Sequence, residues 1–281
     1  MKNIILVPNR NKDKDFINTQ KIKSFLENKN YNVIIARDYK DQFGNYRYCV
    51  NENLAEYIIA IGGDGTFLQA VYDFHFIKDA KFIGINLGTV GFLTTIELNT
   101  YAEQLDELLN KSSQIHKYNM LKISTYQEDF EDCCLNDIVI GRSGFARVIE
   151  LEVYVDGKSL YKFSGDGVLI STAVGSTAYN LSLGGPIIHP LSGTVVITPI
   201  APHSIGIKPI VVPDYSRIDV KVIGSHKKTD VDAIFTCDGR NNDQIISPGE
   251  IITIQKGEEI QNVVLDSFDY FKNLKEKLST N

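Results

Sequence analysis

The chain has 281 residues, 43% hydrophobic and 23% charged, with a net charge of −6. The length suits about two domains with a substantial core. The acidic balance argues against a nucleic-acid surface, and no apolar run approaches the ~20 residues that would cross a membrane.

Met1–Pro8, with one lysine and a four-residue apolar run, is too short for a signal-peptide core and reads as the first strand, Ile4–Val7. Asp15–Asn28 has Phe16, Ile22, Phe25 and Leu26 at mostly helical spacing. Val33–Ala36 is a second strand, and polar Arg37–Val50, with Gly44, reads as a loop. Tyr57–Ile61 is a third strand, Phe67–Ile77 a helix capped by Thr66, Lys81–Ile85 a fourth strand and Thr100–Asn110 a helix. This βαβ rhythm predicts a doubly wound parallel sheet over residues 1–115. From about residue 116 to 265 strand signals dominate: Arg147–Val155, Thr194–Ile200, Ile218–Ile223, Ala233–Cys237 and Ile251–Gln255, with Asp156-Gly157 marking a hairpin turn of the primed type. An all-β second domain is expected there. Residues 266–281 include a helical face at Phe268, Phe271, Leu274 and Leu278 that is expected to dock on the first domain. Cys49, Cys133, Cys134 and Cys237 lack Cys-x-x-Cys spacing and fit reduced thiols in a cytoplasmic protein.

The segment Tyr57-Ile58-Ile59-Ala60-Ile61-Gly62-Gly63-Asp64-Gly65-Thr66 concentrates the chemistry. A buried strand runs into glycines that permit φ > 0 and close approach of backbone N–H groups, followed by a helix start suited to anions. Asp64 should repel phosphate in such a turn, unless it binds a metal or takes a proton from an attacking hydroxyl. The loop Asn86–Leu93 follows the fourth strand, at the carboxyl edge where open parallel sheets bind ligands. Asn136-Asp137 interrupts an apolar run. It fits either a turn or bulge pair, or contacts to a ribose, whose vicinal diol a carboxylate can accept. Gly165-Asp166-Gly167 leads through a strand into Gly175-Ser176-Thr177-Ala178-Tyr179, which fits either an N-capped helix packed on a sheet or a ligand loop with Tyr179 against a base.

Three other patterns lead nowhere. Gly157-Lys158-Ser159 lacks the first glycine of a P-loop and sits in a hairpin, and no Gly-x-Gly-x-x-Gly follows the first strand. The five histidines lack metal-ligand spacing.

Together these segments, with Gly184-Gly185-Pro186, Ile200-Ala201-Pro202-His203 and Cys237-Asp238-Gly239, resemble the NAD kinase family. Three departures stand out: Thr172-Ala173-Val174 replaces a Thr-Pro-Thr, Val90 stands for leucine, and Asp137 stands where many members carry Glu. The resemblance implies phosphoryl transfer from ATP, or another donor such as polyphosphate, to the 2′-hydroxyl of the adenosine ribose of NAD. It implies an α/β domain and a β-rich domain with NAD between them. Asp64 becomes the general base, the Gly62, Gly63, Gly65 and Thr66 turn the phosphate loop, and Asn86, Gly88 and Phe92 a secondary loop. Gly65, Asn136 and Asp137 meet the ribose region. Thr177, Ala178 and Tyr179 frame the adenine, and Asp166 accepts from the nicotinamide amide. Arg147, Asn180, Leu181, Ser182 and Asp238 are further contacts. The resemblance also implies a divalent cation, Mg²⁺, and a homodimer or homotetramer. Two other readings remain: a lipid or sugar kinase sharing the Gly-Gly-Asp-Gly turn, and a non-catalytic NAD(P)-binding sensor. The retained Asp64 speaks against the sensor, because a mere binder gains nothing from a carboxylate beside phosphates.

Overall fold

The computed structural model describes residues 2–50, 54–88, 91–110, 113–125, 130–143, 148–224, 233–240 and 244–279. They fall into two units: Met1–Asp41 with Tyr46–Lys117 and Ile260–Asn281, and Tyr118–Glu259 with Gln42–Asn45.

The first unit contains β1 (Asn3–Pro8), α1 (Ile17–Asn28), β2 (Asn32–Ile35), β3 (Arg37–Lys40), β4 (Tyr46–Cys49), β5 (Tyr57–Gly62), α2 (Asp64–Phe74), β6 (Lys81–Asn86), β7 (Ile96–Glu97) and α3 (Tyr101–Asn110). Strands β2, β1, β5 and β6 lie side by side and all run parallel. On the far edge of β6, Lys81 and Phe82 pair with Gln261 and Asn262, while Ile85 and Asn86 pair with β7. Every residue of β5 is buried, as a strand covered on both faces must be. On one face Ile4, Leu6, Ile59 and Ile83 pack with Ile22 and Leu26 of α1 and Leu105 and Leu108 of α3. Side chains alternate along a strand, so Ile5, Val7, Ile58 and Phe82 point the other way. There Phe67 of α2 meets Phe82, with ring centroids 6.1 Å apart. Helices on both faces make the sheet doubly wound, as predicted.

Two elements differ from the sequence expectation. Helix α2 begins at Asp64, with extended Gly63 as its N-cap. The Gly63 carbonyl accepts from the N–H groups of Thr66 and Phe67, so the turn closes before Thr66, whose hydroxyl is taken by Asn9 Nδ2 at 2.8 Å. The stretch read as a loop is an antiparallel hairpin, with Arg37 opposite Cys49 and Lys40 opposite Tyr46. Its strands are polar on both faces, which hid them, and Gly44 takes a left-handed turn conformation at φ 80°.

The second unit is antiparallel. It holds β8 (Ser113–Thr125, which starts in the first unit), β9 (Glu131–Cys134), β10 (Asp137–Arg142), β11 (Ile149–Val155), β12 (Lys158–Gly165), β13 (Gly167–Thr172), α4 (Tyr179–Ser182), β14 (Thr194–Ile200), β15 (Ile210–Pro213), β16 (Ile218–Gly224), β17 (Ala233–Cys237), β18 (Ile245–Ile246) and most of β19 (Ile251–Leu265). One sheet runs β15-β14-β13-β10-β17-β18. In the other, β16 lies between β11 and the start of β19, and β12 pairs with β11. Ile138, Ile170, Ile197 and Phe235 from the first sheet share one core with Leu151, Val153, Val220 and Ile252 from the second. This is two-sheet packing over alternating inward residues. Asp156 and Gly157 both have positive φ, 50° and 75°, which is the predicted primed turn. The helix Tyr270–Ser279 ends the first unit.

Phe67 is fully buried, and Phe67→Ala is expected to cost about 3–5 kcal/mol of stability, the usual range for deleting a core aromatic. Urea unfolding of the variant checks this.

Candidate active site

In the first unit, everything converges on the start of α2. The N–H groups of Asp64 and Gly65 have no helical carbonyl one turn back to donate to, so they are available to an anion together with the positive end of the helix. The glycines before them are not in the left-handed region, contrary to the sequence expectation: no positive φ occurs at Gly62, Gly63 or Gly65. Gly62 is required by space, because a Cβ there falls on the Thr66 side chain.

The Asp64 carboxylate is held by the loop after β6. Oδ1 accepts from Leu93 N, Thr94 N and Thr94 Oγ1, each at 3.0 Å, and Oδ2 accepts from Phe92 N at 2.7 Å. Gly91 must be glycine here, since a Cβ collides with the same carboxylate. Buried Asn86 donates to Thr94 Oγ1 at 2.9 Å and accepts from Gly88 N at 2.6 Å. Asn273 Nδ2 of the C-terminal helix donates to Gly91 O at 3.1 Å. The structure therefore brings Asn86, Gly88 and Phe92 together with Asp64, as the sequence suggested. It adds Thr94 and Asn273, which no local motif announces. A carboxylate offers about four acceptor directions; three of the four bonds fall on Oδ1, so Oδ2 retains a free direction.

In the second unit, Asp238 lies beneath Asn136 and Asp137. Its Oδ1 accepts from Asn136 N at 2.7 Å and Asp137 N at 3.2 Å, and its Oδ2 from Leu135 N at 2.9 Å. Arg240 Nη1 lies 3.4 Å from Oδ2. The Asp238 side chain is 2% exposed, so it grips backbone and does not face a ligand. On the other side of the segment, Thr172 N donates to Asn136 O at 2.9 Å and Thr172 Oγ1 to Leu135 O at 2.6 Å. A Cβ at Gly175 falls on the Asn136 backbone. This packing makes Asn136-Asp137 a rigidly supported strand entry.

Asp137 itself is different. It is 6% exposed, and among the described residues no donor reaches its carboxylate. Burial, then the nearby Asp238 charge, push its pKa up to about 7. A buried carboxylate without a partner costs free energy that a diol donor can recover. The Asn136 side chain likewise has no partner among the described residues.

Asp166, 41% exposed at the side chain, is paired with Arg142 Nε at 3.0 Å. Thr177 and Ala178 are half-buried, Tyr179 is 45% exposed with its ring available, and Leu181 and Ser182 follow it on α4. Asn180 departs from the expected ligand role. It is fully buried, its Nδ2 donates to Ser176 O and Pro186 O, and its Oδ1 accepts from Thr198 Oγ1 at 2.7 Å. It is a bracket for the turn. Arg147 lies outside the described residues. Among the described residues no three His, Cys, Asp or Glu side chains gather as a metal site.

The comparisons with known proteins agree with this arrangement. A family described as the ATP-NAD kinase N-terminal domain matches residues 4–113, and one described as the ATP-NAD kinase C-terminal domain matches residues 135–265. The NAD kinase of Lachnospira eligens is 36% identical, with 99% of this chain and 100% of that protein covered. That of Lachnoclostridium phytofermentans is 33% identical over 99% of both. Among solved structures, an Archaeoglobus fulgidus NAD kinase in complex with ATP superposes with a TM-score of 0.76 at 26% identity, covering 100% of each chain. A yeast NADH kinase complexed with NADH has the same fold, with a TM-score of 0.82 at 23% identity, covering 100% of this chain and 88% of that one.

Asp238→Ala strips three backbone N–H groups of their acceptor. At about 1–3 kcal/mol for each buried group left unsatisfied, it is expected to lower stability by at least about 2 kcal/mol, measured by urea unfolding. Asp137→Ala, which removes no such bond, is expected to leave stability unchanged or raised.

Proposed function

The chain belongs to the NAD kinase family, and from that premise we propose how its residues divide the transfer of the terminal phosphoryl group of ATP to the 2′-hydroxyl of the adenosine ribose of NAD. The observation that carries the reading is Asp64: a carboxylate at a phosphate-binding helix start, fixed through Oδ1, with Oδ2 free to accept one more hydrogen bond. The ribose hydroxyl is too weakly acidic to ionise alone at neutral pH. Its proton passes to Asp64 Oδ2 as its oxygen bonds to phosphorus and the bond to the departing ADP oxygen breaks. The Asp64 and Gly65 N–H groups receive phosphate oxygens. Asp137, ionised, accepts from ribose hydroxyls, with Asn136 beside it. Tyr179 lies against the adenine, framed by Thr177 and Ala178. Asp166, steered by Arg142, accepts from the nicotinamide amide.

A divalent cation such as Mg²⁺ fits this donor set as one carried mainly by the donor's phosphates and water, because no protein cage gathers among the described residues. Bound there, it neutralises phosphate charge. No helix among the described residues is long and apolar enough to cross a membrane. The free cysteines support a cytoplasmic setting, and the family resemblance supports a homodimer or homotetramer.

The direct assay supplies Mg²⁺, ATP and NAD and follows NADP through a coupled dehydrogenase. Asp64→Asn is expected to keep NAD affinity and lose at least about 10²-fold in kcat, the scale of a general base. Thr94→Val, which removes only one loop bond to Asp64, is expected to lose far less; equal losses in the two variants assign Asp64 to loop support. With Asp137 raised to about 7 and binding through its ionised form, NAD affinity is expected to be flat above pH 8. It should weaken as pH falls below 7, toward about tenfold per pH unit. Asp137→Asn is expected to bind NAD weakly with that slope abolished, as calorimetric titration across pH can show.

A further inference from the structure

A pocket of about 160 Å³ lies beside the Gly62–Thr66 turn, wholly within the first unit. Its lining includes Arg10, Tyr46, Tyr48, Gly65, Thr66 and Gln69. Pockets that enclose a whole small molecule run roughly 300–1,000 Å³. This one suits a single ring system whose remainder extends outside. Gly65 and Thr66 belong both to the pocket and to the phosphate turn, so a ring seated here has its attached phosphates at the N–H groups of Asp64 and Gly65. Lys12 extends over the same turn, its Nζ 3.1 Å from where a Cβ on Gly63 would stand.

The wall of the pocket is the β3–β4 hairpin, and it is fixed to α2. Buried Asp73 accepts from Arg47 Nε, from Tyr48 N at 2.8 Å and from Gln69 Nε2 at 2.8 Å. The Arg47 guanidinium lies 4.6 Å from the Tyr72 ring centre, and Tyr48 Oη donates to Pro8 O at 2.8 Å. On this braced wall Tyr46 is 48% exposed, with Lys40 Nζ 5.1 Å from its ring centre. An exposed aromatic held in place is a stacking platform. The Gln69 side-chain oxygen takes no hydrogen bond among the described residues and can accept from an exocyclic amino group.

We propose that this pocket seats the base of the phosphoryl donor on Tyr46, which makes the donor a nucleoside triphosphate and not inorganic polyphosphate. The assignment rests on the kinase reading and adds the donor's chemical class to it. Polyphosphate has the phosphates that the turn and Lys12 recognise, but nothing to fill the pocket.

The test compares wild type, Tyr46→Ala and Tyr46→Phe in two measurements. The first is KM for ATP in NADP formation, with inorganic tripolyphosphate as the alternative donor. The second is ADP affinity by calorimetry, which needs no turnover. Base stacking on an aromatic is worth about 1–3 kcal/mol. Tyr46→Ala is therefore expected to raise both KM for ATP and Kd for ADP at least about fivefold and leave KM for NAD unchanged, with Tyr46→Phe near wild type. Tripolyphosphate is expected to be a poor donor for all three. Unchanged ATP and ADP constants in Tyr46→Ala, or tripolyphosphate matching ATP in wild type, overturn the pocket assignment while NADP formation keeps the kinase reading. Weakened ADP binding in Tyr46→Ala, with no NADP formed by wild type, upholds the pocket and removes the kinase reading.

Discussion

The grip of the Phe92–Thr94 loop on the Asp64 carboxylate is the constraint on which the catalytic half of the first unit depends. Three backbone N–H groups and one hydroxyl converge on a single side chain. Charge-assisted bonds of this kind are stronger than neutral ones, and the start of α2 favours the negative charge. The same bonds that fix the carboxylate also fix the loop, so the two cannot move apart separately. Gly91 and Gly84 exist to allow it: a Cβ on the first strikes Asp64, and on the second the Thr94 backbone. The result is a base already oriented before any substrate arrives, with most of its hydrogen-bonding capacity spent on position and one direction left for chemistry.

The second unit uses a carboxylate in the same structural way and sets another apart. Asp238 is saturated by three backbone N–H groups and Arg240, and it holds the entry to β10. Asp137, immediately above it, is buried with no donor among the described residues and is raised to about 7, by burial first and by Asp238 second. One acid stabilises the segment and the other is left wanting a partner. A sugar diol supplies what Asp137 lacks.

Much of this was legible from residue order, and what was hidden had physical reasons. The buried strands were plain because Tyr57–Ile61 and Lys81–Ile85 are continuous apolar runs, and Asp156-Gly157 named its own turn. Asp64 stood out because a carboxylate among phosphate-binding amides needs a reason. The β3–β4 hairpin was invisible because Arg37–Lys40 and Tyr46–Cys49 carry no apolar alternation. It is held by a single buried acid, Asp73, from a helix after it in the chain. Asn180 looked like a ligand contact by its place beside Tyr179, but its amide is consumed by Ser176, Pro186 and Thr198. Asp238 could be located but not interpreted, since gripping the backbone at residues 135–137 is a contact across about a hundred positions. Thr94, Asn273 and Arg142 matter only through such long-range contacts, and nothing in their neighbourhoods announces them.

The most direct test of the central claim is a crystal structure of the NAD complex. The account predicts the adenosine ribose 2′-oxygen within hydrogen-bond reach of Asp64 Oδ2, about 2.6–3.2 Å, with the Leu93 and Thr94 bonds to Oδ1 retained. A 2′-oxygen turned to solvent, or an Asp64 whose two oxygens are both closed off by the loop with NAD bound, contradicts it.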